Sequence, residues 1–384
     1  MKPFRHIVLV SILGVGALVW AQSAPAPAVL AWQAVQSPAM DPAKFAHVEN
    51  IEIVRDRIHI RLIDGTIQFA QPLSDVVFAA VFHGNGRLQA EPPAGAEAYE
   101  LQFFTKQDKL DMTFSDATFS FTDSFYEEVA KSVKWQQGAT VDDFYAKRQQ
   151  ERENLGGAYL PRLYKGILSA DRQRAAYFLA DLKTKEKGWV EVHDDPMQLE
   201  EIQVGRWSSI GPVKIMDTWM NFPAGGRDPH HAYDDPAARM DFLIPSYKMD
   251  VTVTDGAERS ASARVTVKPR HSGERVLLFT LDSNLRLTSV RDAQKRTLEF
   301  FQPKETKDRF QSYGDYVAVV LQEPTQASEV LTLEFQYAGK RVVRKVGSGN
   351  YFCESFGWYP APFSGGAYYY AAIEATGFSE QTID

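Results

Sequence analysis

The sequence predicts an α+β domain followed by an all-β domain, and three patterns carry that reading. From His47 the chain alternates apolar and polar residues over several short runs, the period of half-buried strands. Between Asp123 and Ser169 the period changes to that of a helix. After Pro245 only strand-like alternation remains, broken by Gly, Pro, Asn and Asp at near-regular intervals, which fits a β-sandwich or open barrel. The resulting divisions are 1–21 for a leader, 22–46 for an Ala/Pro-rich linker, 47–245 for the α+β domain and 246–384 for the β domain.

Lys2, Arg5 and His6 precede an uncharged, mostly apolar run from Ile7 to Trp20, and Val19-Trp20-Ala21 offers the residues a signal peptidase reads. A signal peptide cleaved after Ala21 is expected, with export to the periplasm or beyond. The apolar run is shorter than the roughly 20 residues of a spanning helix, so membrane contact is expected only through the leader before cleavage. Gln22 to Ala31 reads as a tether without its own fold.

Ile51 and Ile53, then Ile58, Ile60 and Leu62, mark strands, with Asp64-Gly65 as a hairpin turn before Ile67 and Phe69 resume the alternation. Val76 to Phe82 reads as a central strand and His83-Gly84-Asn85-Gly86 as a tight turn. That segment lacks the third glycine of a dinucleotide fingerprint and the Gly-Lys-Ser/Thr of a phosphate loop. Leu160, Leu163, Tyr164, Ile167 and Leu168 share one helical face. Phe178 to Val192 reads as two strands joined by a turn at Lys187-Gly188. Met216, Trp219 and Met220 form a core stripe at helical spacing. Further strands are expected at Tyr247 to Thr254, Ala261 to Val267, Arg275 to Val290, Tyr316 to Leu321 and Leu331 to Tyr337.

The formal charge of −7 disfavours a nucleic-acid partner, because phosphate binding needs clustered Lys and Arg. A single cysteine, Cys353, allows no internal disulfide and is expected to be a buried thiol. Candidate metal ligands are His193 with His230, His231, Asp234 and Asp235, since imidazole and carboxylate suit zinc, manganese or calcium. Adjacent histidines diverge on an extended backbone, however, and Pro229 and Pro236 mark a hydrated loop. Glu127-Glu128 and Glu200-Glu201 are neighbours in sequence rather than a pair facing across a cleft, and no Gly-x-Ser-x-Gly elbow is present. The aromatic strip Phe356, Trp358, Tyr359, Tyr368, Tyr369 and Tyr370 could stack on sugars or peptides, but reads better as an interface.

Leu277-Leu278-Phe279-Thr280-Leu281, Leu285-Arg286-Leu287 and Val290 resemble a strand pair of the saddle-like N-terminal β domain in aminopeptidase N-type zinc metallopeptidases. Tyr247 to Val253 resembles that domain's first strand, and Leu331 to Gly339 a later strand ending in Tyr-x-Gly. Glu354-Ser355-Phe356-Gly357-Trp358-Tyr359-Pro360 resembles the segment leading into its second sheet. The resemblance runs from Tyr247 to Tyr370, about a third of the chain. Ile51 to Val204 resembles an extension that precedes this domain in secreted bacterial relatives.

That family's zinc site uses His-Glu-x-x-His and a downstream Glu, with a Gly-x-Met-Glu-Asn strand for the substrate amine. None of these motifs occurs in the sequence, so the resemblance carries no catalytic residue and no zinc to any position. Ala371 to Asp384 keeps little of the strand and Pro-Gly turn that the family would place there. The expectation is therefore an interrupted or split gene whose catalytic domain is missing or separately encoded. Two other readings stay open: a self-sufficient envelope module binding peptide or glycan, and an enzyme of another type using the His230-His231 loop.

Overall fold

The computed structural model describes residues 27–137, 143–153, 159–198, 200–210, 213–226, 240–254, 259–303, 315–348, 350–353, 358–362 and 380–383. The leader, Phe356, Tyr368 to Tyr370 and the His230-His231 loop with Asp234 and Asp235 lie outside them. No helix among the described residues is long and apolar enough to cross a membrane.

The chain is mostly β. In order, its first part comprises α1 (Pro27–Gln36), β1 (Met40–Arg55), β2 (Ile58–Ala70), β3 (Ala79–Ala90), α2 (Ala96–Thr105), β4 (Leu110–Phe121), α3 (Phe125–Ala130) and β5 (Trp135–Gln136). Then come α4 (Phe144–Glu153), α5 (Tyr159–Leu168), β6 (Phe178–Thr184), β7 (Gly188–Asp194), β8 (Ile202–Ile210) and β9 (Val213–Phe222). These strands form one nine-stranded sheet in the order β5-β1-β2-β3-β4-β6-β7-β8-β9. Its pairs are antiparallel. The short helices sit around this sheet, so the first part is more uniformly β than an even α+β mixture.

The alternation decides which face is dry. Ile51, Ile53, Ile60, Leu62, Phe82, Phe114, Phe119, Leu182, Val190 and Val204 point to one face and bury together with Phe125 and Val129 of α3 and Leu101 of α2. Each such side chain contributes about 1.5–3 kcal/mol on leaving water. α2 packs on β9 at the far edge, and the Gly225 amide donates to Asp56 Oδ2 (2.6 Å) in the β1–β2 turn. The sheet therefore curls until its first hairpin meets the residues after its last strand.

That curl accounts for two departures from the expected turns. Asp64-Gly65 lies inside β2, and the turn is at Asp56-Arg57, where Asp56 takes φ 53°. His83-Gly84-Asn85-Gly86 lies inside β3. Gly65 and Gly84 face each other across the strand pair, and the registers slip beside them. A Cβ on Gly65 would stand 2.3 Å from the His83 carbonyl oxygen, and one on Gly84 2.2 Å from that of Asp64. These glycines let two backbones close up where the sheet bends. Met216, Trp219 and Met220 likewise belong to a strand, β9, although Trp219 and Met220 are core residues as expected.

The second part begins with β10 (Phe242–Val253), β11 (Arg259–Pro269), β12 (Val276–Leu281), β13 (Leu285–Asp292), β14 (Phe300–Phe301), β15 (Asp315–Val320) and β16 (Leu331–Gly339). β17 (Val343–Gly347), β18 (Asn350–Cys353), β19 (Ala361–Pro362) and β20 (Glu380–Ile383) complete it. A five-stranded sheet, β13-β16-β11-β10-β20, covers a four-stranded sheet, β14-β15-β12-β19, while β17 and β18 form a separate ribbon. Val265, Phe279, Val317, Val319, Phe335 and Tyr337 fill the space between the two larger sheets. The edge strand β13 is partly closed by a side chain: Gln302 accepts from the Leu287 amide (3.0 Å) and donates to the Leu285 carbonyl (2.8 Å).

The two parts share a third core. Val276, Leu278, Ala318 and Val320 alternate outward from the sandwich and meet Leu163, Tyr164 and Ile167 of α5, Tyr145 of α4, and Phe78 and Val81 of the first part. The expected linker contributes here as well. Ala28, Ala31, Trp32 and Val35 share one face of α1, and Trp32 stacks on Phe301 with centroids 4.8 Å apart. Residues 27–46 are thus a packed helix and the start of β1, with Pro27 suited to a first helical turn. The Ala/Pro composition hid this periodicity.

Candidate functional site

Among the described residues, buried charged side chains gather most densely in three clusters, each beside a short helix. The densest lies where α4 crosses the outer face of β6 and β7. Phe144 and Tyr145 anchor one end of α4, and Arg148 and Arg152 follow one turn apart. Arg148 Nε donates to Asp181 Oδ2 (2.5 Å), and its guanidinium lies 4.1 Å from the Trp189 ring. Arg152 stands 3.6 Å from Asp181 Oδ2 and 3.2 Å from Glu191 Oε1, with its guanidinium over Tyr159 at 4.3 Å. The Arg152–Glu191 contact is an ion pair without hydrogen-bond geometry, since Glu191 Oε1 has no hydrogen-bond partner. His193 Nε2–H donates to Glu191 Oε2 (2.9 Å).

Burial alone would push both carboxyls up. For Glu191 that effect is outweighed by Arg152, His193 and Arg148, which hold it well below the usual range. For Asp181 burial wins over Arg152 and Arg148, helped by the charge of Glu191, and its carboxyl is raised. Burial also pushes the Tyr145 hydroxyl up to about 12, although it shares a 2.6 Å hydrogen bond with Ser120. Two guanidinium groups against two carboxyls make a nearly charge-balanced plug, held by ion pairing more than by complete hydrogen bonding. Such a cluster fixes a helix on a sheet more readily than it exchanges protons with a substrate.

The second place is the junction of the two parts. Arg162 of α5 bonds Asp195 (2.8 Å) and the Ala176 carbonyl (2.7 Å). Lys165 Nζ contacts Glu274 Oε2, lies 3.2 Å from Asp241 Oδ2, and donates to the Val276 carbonyl (3.2 Å). Arg174 holds the other oxygen of Asp241 (3.1 Å). At the third place Arg55 joins Asp123 (2.6 Å) and Glu128 (3.1 Å) of the α3 region, with Asp194 nearby.

Of the expected metal ligands, His193 alone is described. It is spent on Glu191, and no group of three or more His, Cys, Asp or Glu among the described residues is arranged to hold a metal ion. Of the aromatic strip, Trp358 and Tyr359 are described. Both are half-buried against the sandwich core; Tyr359 meets Tyr247 edge-on at 5.2 Å, and the Arg259 guanidinium lies 3.9 Å from the Trp358 ring. The Tyr247 hydroxyl donates to the Pro360 carbonyl (2.9 Å). Glu128 and Glu201 serve local structure, the first holding Arg55 and Ser124 and the second accepting from the Ala224 amide. Arg148, Arg152, Asp181 and Glu191 were not singled out from the sequence. The one available signal was the i, i+4 spacing of the two arginines.

No protein-family model and no curated protein matches the chain. Among solved structures it is similar to an M1 zinc metallopeptidase from Deinococcus radiodurans, at 19% identity and TM-score 0.21, over 26% of this chain and 21% of that one. A mutant of that enzyme bound to a Tyr-Ser-Ala substrate matches at 18% identity and TM-score 0.22, over 28% and 22%. A two-domain M1 zinc metallopeptidase mutant bound to L-tryptophan matches at 18% and 0.22, over 33% and 24%. The chain thus spans less than a quarter of the length of these chains, and the structural resemblance is weak.

Proposed function

We propose that this chain is the non-catalytic N-terminal portion of a secreted aminopeptidase-like zinc metallopeptidase, exported by its leader and built to dock a catalytic domain. The observation that carries the reading is the aromatic end of the sandwich. There Trp358 and Tyr359, the described members of the aromatic strip, rest half-buried on Tyr247 and Arg259. Half-covered aromatic rings over a guanidinium are an interface chemistry. The order of strand motifs from Tyr247 to Tyr370 in the sequence supports the same assignment. The α+β description of 47–245 as an extension preceding the family's β domain belongs to this proposal.

The purified chain, supplied with zinc, is expected to give no turnover of aminoacyl-p-nitroanilides; clear turnover would overturn the reading. The same rings favour one alternative, a self-sufficient module that stacks peptide or glycan on Trp358 and Tyr359. Saturable glycan binding by a monomer, lost in Trp358→Ala, would establish that alternative instead. Export makes its own demand: the mature chain is expected to begin at Gln22 by N-terminal sequencing.

A further inference from the structure

We propose that Lys165 and Glu274 condense, with Asp241 moving the protons, into a side-chain amide that staples α5 to the sandwich. The geometry supplies the reactants and nothing superfluous. Lys165 Nζ touches Glu274 Oε2 and stands 3.2 Å from Asp241 Oδ2. The three side chains are 1%, 2% and 4% exposed for Lys165, Glu274 and Asp241, so the amine and carboxyls meet almost without water. A buried ion pair bears the desolvation of both charges, whereas an amide bears neither. Removing one positive and one negative charge also leaves Arg174 and Asp241 as a balanced pair. The remaining amide N–H can still donate to the Val276 carbonyl, which Lys165 already contacts.

The two carboxyls are differently disposed. Burial raises both, but Lys165 and Arg174 bring Asp241 below the usual range, so it rests ionised and readily passes on any proton it takes. Burial keeps Glu274 raised against the pull of Lys165, helped by the charge of Asp241, so it takes up a proton more readily than Asp241 does. In the step itself, Asp241 carries one proton from the Lys165 ammonium to the Glu274 carboxylate, and the freed electron pair attacks Glu274 Cδ. Asp241 then carries a second proton from the new C–N nitrogen to the departing hydroxyl, which leaves as water, and Asp241 ends as the carboxylate it began as. One C–N bond forms and one C–OH bond breaks, with no oxidant, reductant or cofactor.

The consequence suits an exported chain whose single cysteine can make no internal disulfide. Residues 165 and 274 belong to the two different parts, so one amide would bind them covalently.

The test is tryptic mass spectrometry of the denatured full chain. The expected product is Leu163–Arg172, uncut after Lys165, joined to His271–Arg275 and lighter by one water. Recovery of Leu163–Lys165 and His271–Arg275 as separate peptides would overturn the proposal, and this reading needs no variant to fold. In D241N the peptides are expected separately; a branched peptide there would remove Asp241 from the chemistry.

Discussion

Gly84 shows how much one missing methyl group can determine. Its φ of 153° and the Asp64 carbonyl oxygen beside it leave no room for a Cβ, and the obstacle is backbone rather than a side chain that could swing away. Gly84→Ala is expected to destabilise the fold by about 2 kcal/mol or more, read as a lower urea midpoint. Asp194 makes the opposite case, a residue whose charge works against the fold. Burial first, then the charges of Asp123, Asp195 and Glu201, raise its carboxyl to about 6 despite Arg55. The native state thus binds this proton more tightly than the unfolded chain does. The stabilisation from protonated Asp194 is complete below about pH 4 and is lost as pH rises through 6. Asp194→Asn should gain on the wild type across that window, reaching about 2 kcal/mol by pH 7. Equal pH profiles in thermal denaturation would refute this. Neither residue could be read from sequence. Gly84 resembles a turn glycine, and Asp194 depends on charges that the curled sheet brings together.

At the scale of elements, α4 is held by charge as much as by apolar contact. Arg152→Ala would leave Asp181 and Glu191 short of a counter-charge in a dry site, at a cost of about 3–5 kcal/mol by urea denaturation. α5 was legible in its apolar face: Leu160, Leu163, Tyr164 and Ile167 fall in one buried helix. Its opposite face was not, because Arg162 and Lys165 are buried too. An amphipathic pattern announces one covered side. It cannot announce that a second part of the chain covers the other, nor that Asp241 and Glu274 lie there as counter-charges. The strands fared likewise. Alternation located β1, β2, β6, β7, β10 and β11, but the real turn at Asp56-Arg57 was missed because Asp56, rather than a glycine, supplies the positive φ.

For the whole molecule, the shared core matters most. Trp32, Tyr164, Val276, Leu278 and Val320 make one dry region out of α1, α5 and both strand assemblies. Neither part can open without exposing the other. Calorimetry is expected to give a single transition with equal van't Hoff and calorimetric enthalpies; two resolved transitions would show that the third core is weaker than its packing implies.

Gln302 has a bearing on how these molecules meet one another. A sandwich with an open side strand can grow sideways, each copy lending its backbone to the next until fibres form. Gln302 imitates one rung of that missing neighbour, with its amide nitrogen on the Leu285 carbonyl and its amide oxygen on the Leu287 N–H. A second copy arriving at β13 finds that rung already taken. Further along, the Leu298 amide donates to the Val290 carbonyl (2.9 Å), so one flexible side chain and a returning stretch of backbone together do on this flank what a further strand would otherwise have to do.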